Sequence, residues 1–462
     1  MPLPTSVKNI LDLQNVRYNI AELTVQNLDL DSHPITDPKT TVRSVLLRDG
    51  LGKVQVLYPS NCLLDLASLN QQLVRQLRAA TAEDLQSFYK QHQLETVPAL
   101  PSLGGFPTVV DEHLFNAQSL LLDSGINGQL LEIDQSDFQQ VVSSSTPLNF
   151  CIPIDDLVGP LSSDDESEIF SAVKSFTSLR IQQRLEETLE LPPLPATAQR
   201  IIQLRADPNA DISDLSNIVE TDPSLAAQVV SWAASPYYSA PGKIKSIHDA
   251  IVRVLGFDMV LNLALGLALG KTLKFPKDYP NGVNTYWQDA VFTAATIESL
   301  VTAIPKERRP SFGMSYLSGL LNNFGFLILA EIFPPQFELL NRYIEVNPHV
   351  PVNAIEQHIM NVTREQLAGW LMMTWQMPSE VSTALRYQSI PQFKGEHNEY
   401  AKLLFIAKAK LRDYGIGSGP KVEIPEAIYT SLGLDPELAE NAVVEVMKAK
   451  DDLSLITQQL NT

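Results

Sequence analysis

The sequence predicts two domains: an α+β domain with a mixed sheet or barrel and flanking helices, then an all-α helical bundle. Three observations carry this expectation. The chain has 462 residues, more than one hydrophobic core usually covers. Short β-branched runs alternate with helical patterns through residues 1–145, whereas the remainder is helical almost to its end, broken at Pro and Gly. Between them, Ser143-Ser144-Ser145-Thr146-Pro147 and the acidic run Ser162-Ser163-Asp164-Asp165-Glu166-Ser167-Glu168 bracket a connecting segment. The expected division is residues 1–145, a linker with the start of a connecting helix over 146–174, a helical domain over 175–410, and a helical extension packed on it over 411–462.

In the first part, Val42–Leu47 and Lys53–Tyr58 flank Asp49-Gly50-Leu51-Gly52 and read as a hairpin. A helix is expected over Leu63–Leu77, from Leu66, Leu69, Leu73 and Leu77 at three- and four-residue steps. Short strands follow at Thr108–Val110, Ser119–Leu122 and Gln129–Ile133. In the second part, Ile169–Leu189 reads as a helix with Phe170, Val173, Phe176 and Leu179 on one face. Asp222-Pro223 is a helix start, a capping oxygen followed by proline at the first helical position, with Leu225, Val229 and Trp232 as its buried stripe.

Composition narrows the function. Hydrophobic residues make up 44% of the chain, and the net charge is −19. So acidic a surface repels nucleic-acid backbones and anionic lipid, so no membrane partner is expected. Cys62 and Cys151 show no CxxC or zinc spacing and read as reduced, buried thiols of a cytoplasmic protein. The longest strongly apolar stretch, Met259–Leu269, is too short to span a bilayer. The seven histidines are dispersed, and His248 is expected to face a neighbouring helix. Trp370 and Trp375 read as packing residues or as the lining of a groove for a partner helix. There is no GxSxG, GxxxxGK[ST], GxGxxG after a strand, or HExxH.

Seven ordered segments of the helical part carry a family likeness. They are Leu191-Pro-Pro-Leu-Pro195, Ile218-Val-Glu-Thr-Asp-Pro-Ser-Leu225, Ile247-His-Asp-Ala-Ile251 with Leu255-Gly256, Trp287, Ser318-Gly-Leu-Leu321, Asn322-Asn323 and Trp375-Gln-Met-Pro378. Together they resemble the HDOD family, catalytically degenerate relatives of HD phosphohydrolases. The resemblance implies that the metal-ligand positions of active relatives fall on Asp289, Asn322, Asn323, Arg364 and Gln388. None is a histidine, so no metal and no cofactor are expected.

The first part resembles the YbaK/prolyl-tRNA-synthetase-associated editing domain. The likeness rests on Val42-Arg-Ser-Val-Leu-Leu47, Pro101-Ser-Leu-Gly-Gly105, Thr108-Val-Val-Asp-Glu112 and Asp123-Ser-Gly-Ile-Asn-Gly128. It implies a pocket drawn from Arg43, Ser102, Gly104, Asp111, Ser124 and Gly125, with Arg43 at the family's lysine position. Residues 1–140 hold 9 Lys and Arg against 16 Asp and Glu, a net of −7, unlike a domain that grips tRNA.

The expected function is therefore a non-enzymatic regulator in bacterial signal transduction. Its helical domain would contact other proteins of a signalling pathway, and its first domain would bind a small molecule or a partner. The alternatives are a trans-editing aminoacyl-tRNA deacylase, with tRNA as its partner, and a metal-dependent phosphohydrolase.

Overall fold

The computed structural model describes residues 2–22, 39–157, 164–176, 193–239, 242–280 and 285–460. The chain forms two compact units. The first comprises Met1–Pro160, Pro280–Gly282 and Leu339–Ile355; the second holds the remainder.

Ten strands are described in the first unit: β1 (Asn19–Glu22), β2 (Lys39–Asp49), β3 (Gly52–Pro59), β4 (Cys62–Leu64), β5 (Arg78–Ala79), β6 (Thr108–Asp111), β7 (Ser119–Asp123), β8 (Gln129–Asp134), β9 (Thr146–Leu148) and β10 (Cys151–Pro153). Eight form a mixed sheet in the order β1-β8-β7-β2-β3-β6-β9, with β5 beside β2, while β10 and β4 pair separately. The expected hairpin is β2 and β3, in register from Val42↔Pro59 to Asp49↔Gly52. The Asp49 carboxylate accepts the Leu51 amide at 2.8 Å, and Gly52 adopts φ +125° to close the turn. Residues 146–153, expected to begin a linker, instead supply β9 and β10. Pro147 is tolerated because β9 is an edge strand.

Among the described residues, the sheet is accompanied by α1 (Thr5–Leu13), α2 (Leu66–Leu73), α3 (Ala82–His92), α4 (Pro101–Gly104) and α5 (Gln135–Val141). Helix α2 is shorter than the leucine spacing predicts. Asp65 caps its start by accepting from Ala67 and Ser68, and Val74 ends it in the left-handed conformation at φ 52°. Leu77 then packs from a loop, its amide bound to Asn70 Oδ1 at 2.8 Å.

The sheet buries both faces. On one, Val42, Leu46 and Leu57 join a core with Leu100, Leu103, Leu120, Leu122 and Phe138. On the other, the cross-strand partners Arg43 and Tyr58 project together, because alternate residues of a strand point to opposite faces. The fully buried Tyr58 donates to Val346 O at 3.3 Å. That acceptor belongs to residues 339–355, which are distant in sequence yet part of this unit. Asn347 Oδ1 accepts the Leu64 amide at 2.8 Å, and its Nδ2 donates to Leu64 O at 3.0 Å, as a neighbouring strand would. The Tyr343 hydroxyl accepts from Ala67 N–H at 3.0 Å and donates to Asp65. His349 donates from Nε2 to Cys62 O at 3.0 Å. Burial first, then the Arg43 charge, holds its imidazole well below the ordinary value, so the ring is neutral.

The second unit is helical throughout its described residues. Its helices are α6 (Asp165–Phe176), α7 (Ala196–Ala206), α8 (Ile212–Glu220), α9 (Pro223–Ala233), α10 (Ile247–Ala250), α11 (Phe257–Gly270), α12 (Tyr286–Ala303), α13 (Phe312–Leu320), α14 (Phe324–Ile332), the first turn of α15 (Pro334–Val346), the end of α16 (Val352–Met360), α17 (Arg364–Thr374), α18 (Ser379–Tyr387), α19 (Asn398–Asp413), α20 (Glu426–Leu432), α21 (Pro436–Lys448) and α22 (Lys450–Leu460). The rest of α15 and the start of α16 lie in the first unit. Of the expected helix 169–189, residues beyond Phe176 lie outside the described set. Asp222 caps α9 through Ser224 and Leu225, with Pro223 at its first position. Gly319 lets α13 approach α12, since a Cβ there would lie 2.7 Å from the Ala294 Cα. One described stretch, Phe312–Ile332, is long and apolar enough to cross a membrane, but 83% of it is buried in the helical core.

Two outcomes follow. Asn347→Ala leaves the Leu64 N–H and C=O unpaired and costs about 2–4 kcal/mol in urea denaturation; a change below about 0.5 kcal/mol contradicts the strand-mimic role. Burial pushes Glu298 on α12 up to about 7, partly offset by the Tyr238 hydroxyl at 3.3 Å. A carboxyl raised in the folded state stabilises most below its unfolded value of 4.5, and that stability fades as pH rises through about 7. Glu298→Gln therefore raises the melting temperature above pH 7 relative to the parent; an unchanged difference between pH 4 and pH 8 refutes this.

Candidate functional site

Five helices bring together the positions that the family likeness marked as expected metal-ligand sites. Asp289 lies in the first turn of α12, whose Thr285 cap accepts from Gln288. Helix α13 stops at Leu320 and α14 starts at Phe324, which puts Asn322 and Asn323 in the intervening turn. Arg364 opens α17 behind a Thr363–Gln366 capping box, and Gln388 caps the end of α18. Gly325 is required here, since a Cβ would lie 2.0 Å from the Arg364 carbonyl oxygen.

The polar contacts close a network. Arg364 Nη1 donates to Asn323 Oδ1 at 2.9 Å, and its guanidinium lies 5.2 Å from the Phe326 ring centre. Its Nε and its backbone amide both bind the fully buried Glu356. Gln388 Nε2 donates to Asn322 O at 2.9 Å, and Gln388 Oε1 accepts from Lys408 Nζ at 2.7 Å. The Asn322 amide donates to Gly319 O at 2.9 Å, which leaves its buried Oδ1 without a hydrogen bond.

Charge explains the arrangement. Burial pushes the Asp289 carboxyl up, and Lys408, Arg364 and Arg412 pull it back, Lys408 most. Burial pushes the Lys408 amine down, with Asp289 the leading opposing influence. Glu356 is raised to about 7 by burial, with Arg364 opposing. Asp289 thus faces three cationic side chains, of which Arg364 is paired with Glu356 while Lys408 and Arg412 also feel Glu365. The donor set does not fit a divalent cation. The Asn323 and Gln388 oxygens are already engaged, Arg364 has no lone pair to offer, and only Asp289 and a neutral amide oxygen are left. Among the described residues no group of three or more His, Cys, Asp or Glu could hold an ion.

Lys408, Arg412 and Glu356 are members of this network that the sequence reading did not single out. The available signal was Lys408 interrupting a buried stripe of α19 between Leu404 and Leu411. His248, expected against a helix, is exposed.

The six expected pocket positions of the first unit are spread over β2, α4, β6 and the turn between β7 and β8. Arg43 projects with Tyr58; burial raises the Asp123 carboxyl and lowers the His349 imidazole, and the Arg43 charge opposes the first and adds to the second. Its Nε is buried and unbonded. Ser102 and Gly104 lie on α4, whose Leu103 packs in the core on the opposite face. The Ser102 hydroxyl accepts from Gln14 at 3.1 Å. Ser124 is fully buried and donates to Gln129 at 3.3 Å. Gly125 has φ +89°, and a Cβ there would meet Leu94 Cδ2 at 2.5 Å. Its carbonyl accepts the Glu95 and Thr96 amides at 2.8 and 3.3 Å. Asp111 is fully buried and accepts the Phe150 and Cys151 amides at 3.0 Å, a structural clamp. Two open hollows in this unit, about 520 and 580 Å³, are lined by Glu112, His113 and Asn149 and by Asp49, Leu51 and Arg75, and by none of the six.

Comparison with known proteins agrees with this architecture. The family described as HDOD domain matches residues 191–391, and that described as aminoacyl-tRNA editing domain matches residues 24–141. A crystal structure from Marinobacter aquaeolei VT8, named as a candidate signal transduction protein, is 42% identical, covers 100% of both chains and superposes with a TM-score of 0.90. An HDOD domain protein of unknown function from Geobacter sulfurreducens is 20% identical, covering 63% of this chain and 97% of its own, with a TM-score of 0.46. An uncharacterised protein of Treponema pallidum (strain Nichols) is 21% identical over 258 residues, 56% of this chain and 48% of that protein. The chain thus spans about half the length of that relative.

The network predicts energetic coupling. Lys408→Met and Asp289→Asn each destabilise, by about 1–3 kcal/mol, and the double variant loses less than the sum by about 1 kcal/mol or more. Strict additivity in a denaturation cycle refutes the electrostatic coupling.

Proposed function

Because this chain belongs to the HDOD family and carries an aminoacyl-tRNA editing domain ahead of its helical region, we propose that it is a non-enzymatic regulator in bacterial signal transduction. The observation that carries this reading is the network at the degenerate HD positions, where Arg364 and Lys408 consume the amide oxygens a metal would need. Without a metal such a bundle has no means to polarise a phosphoester or ionise water. What remains useful is its rigid surface, so the helical domain contacts other proteins of a signalling pathway. The editing-type domain binds a small molecule or a partner. The full-length likeness to the Marinobacter protein supports this assignment.

One observation favours a second reading, an aminoacyl-tRNA deacylase: Arg43 keeps a charge at the family's lysine position, with its Nε buried and unbonded. Against it, Leu94 fills the space beside Gly125, and the forked guanidinium does not replace a lysine in a tight pocket.

The expected result is no hydrolysis of bis(p-nitrophenyl) phosphate with manganese, by the parent or by Asn322→His/Asn323→Asp, since Arg364 and Lys408 remain in both. Mischarged tRNA is expected to decay at the buffer rate with the parent and with Arg43→Ala. Chelator-sensitive phosphodiester cleavage, or deacylation lost in Arg43→Ala, overturns the reading.

A further inference from the structure

The hollow beside β9 has a chemistry that neither the editing-like positions nor the network around Asp289 uses. It encloses about 520 Å³ and is lined by Glu112, His113, Phe115, Asn116, Pro147 and Asn149. The first four belong to the tight 3₁₀ turn Glu112–Asn116 that follows β6. Side chains three residues apart eclipse in such a turn, so His113 and Asn116 share one side and Glu112 and Phe115 the next. The other wall comes from the edge strand β9, whose Leu148 pairs with Asp111 and sets Pro147 and Asn149 beside the turn.

Asp111 fixes how His113 meets this space. Its carboxylate is fully buried, and Oδ2 accepts the Phe150 and Cys151 amides at 3.0 Å. Oδ1 accepts the His113 amide at 3.0 Å and lies 2.7 Å from His113 Nδ1. Both oxygens already accept backbone N–H groups, which assigns the proton of the shortest contact to Nδ1. The lone pair of the neutral ring is then on Nε2. Among the described residues nothing binds that nitrogen, and 34% of the His113 side chain is exposed. The hollow therefore presents acceptors: Nε2, the exposed Glu112 carboxylate and the amide oxygens of Asn116 and Asn149. No Lys or Arg lines it, Pro147 has no N–H to give, and residues 1–140 carry a net charge of −7.

We propose that this hollow binds an organic cation carrying N–H donors, a primary ammonium or a guanidinium, with Glu112 and His113 Nε2 as its principal acceptors. Glu112 supplies the opposite charge, and hydrogen bonds between such ions are the strong ones. Nε2 takes a further N–H, and the buried Asp111 holds the imidazole in the accepting tautomer, as carboxylates do behind histidine ligands. The Phe115 ring adds a surface that cations favour. An anion would meet a carboxylate, a lone pair and a negatively charged domain, and is selected against. Free amines and the Lys or Arg side chains of a basic peptide share the chemistry required. The proposal rests on the reading of the first unit as a binding module, and it fails separately, because a silent hollow leaves the phosphodiester and tRNA results unchanged.

The test is isothermal titration calorimetry of the full chain with agmatine, which carries a guanidinium and an ammonium on one short stem. Salt of about 0.15 M screens the general attraction of an acidic surface. Saturable binding at one site is expected, weakened at least tenfold by Glu112→Gln and by His113→Phe. Removing a distant exposed charge, as in Glu437→Gln, is expected to leave it unchanged. Tetramethylammonium, a cation without N–H donors, is expected to bind at least tenfold more weakly than agmatine. A Gly-Gly-Arg-Gly-Gly peptide titrated alongside separates the sources: tighter binding than agmatine assigns the site to a protein partner, weaker binding to a free amine. No saturable heat with either probe, affinity indifferent to both Glu112→Gln and His113→Phe, or equal binding of tetramethylammonium overturns the proposal.

Discussion

A buried carboxylate must be neutralised by something, and at Asp289 the cations come from the chain itself. Lys408, Arg364 and Arg412 all offset the cost of burying it, and Lys408 also takes the Gln388 oxygen. The same cations reach the turn between α13 and α14, Arg364 through Asn323 and Lys408 through Gln388, which donates to Asn322 O. The amides of Asn322 and Asn323 bind Gly319 O and Arg364. At the positions where the HD likeness expects metal ligands, Arg364 and Lys408 engage the amide oxygens of Asn323 and Gln388.

The same economy governs the first unit. The strand pair β4–β10 would end in open backbone groups at Leu64, and Asn347 satisfies both. Tyr343 and His349 extend the contact to Asp65 and Cys62. The sheet face that carries Arg43 is therefore covered by residues 339–355, far away in sequence. A pocket inherited from an editing domain would have to survive that cover as well as the Leu94 side chain beside Gly125.

Much of this was legible in the sequence because it is local. The β2–β3 hairpin followed from Asp49-Gly50-Leu51-Gly52, and the start of α9 from Asp222-Pro223. The convergence of Asp289, Asn322, Asn323, Arg364 and Gln388 followed from ordered segments that resemble a known family. What stayed hidden is non-local. Leucines at helical steps could not reveal that Val74 stops α2, and no pattern in residues 339–355 announces that they join the first unit. Arg43 and Ser102 were grouped by family likeness, yet strand alternation sends the first to one face while α4 packs on the other. Lys408 had only one weak mark, a charge within an apolar stripe.

The most direct test of the central claim is the melting temperature of the full chain, measured after exhaustive chelation and then across a manganese titration. A ligand that binds the folded state raises the midpoint with its concentration. With Lys408 and Arg364 already in place, the midpoint is expected to stay constant from the chelated protein to millimolar metal. A fall on chelation that manganese restores would show that an ion, not a lysine, holds this centre together.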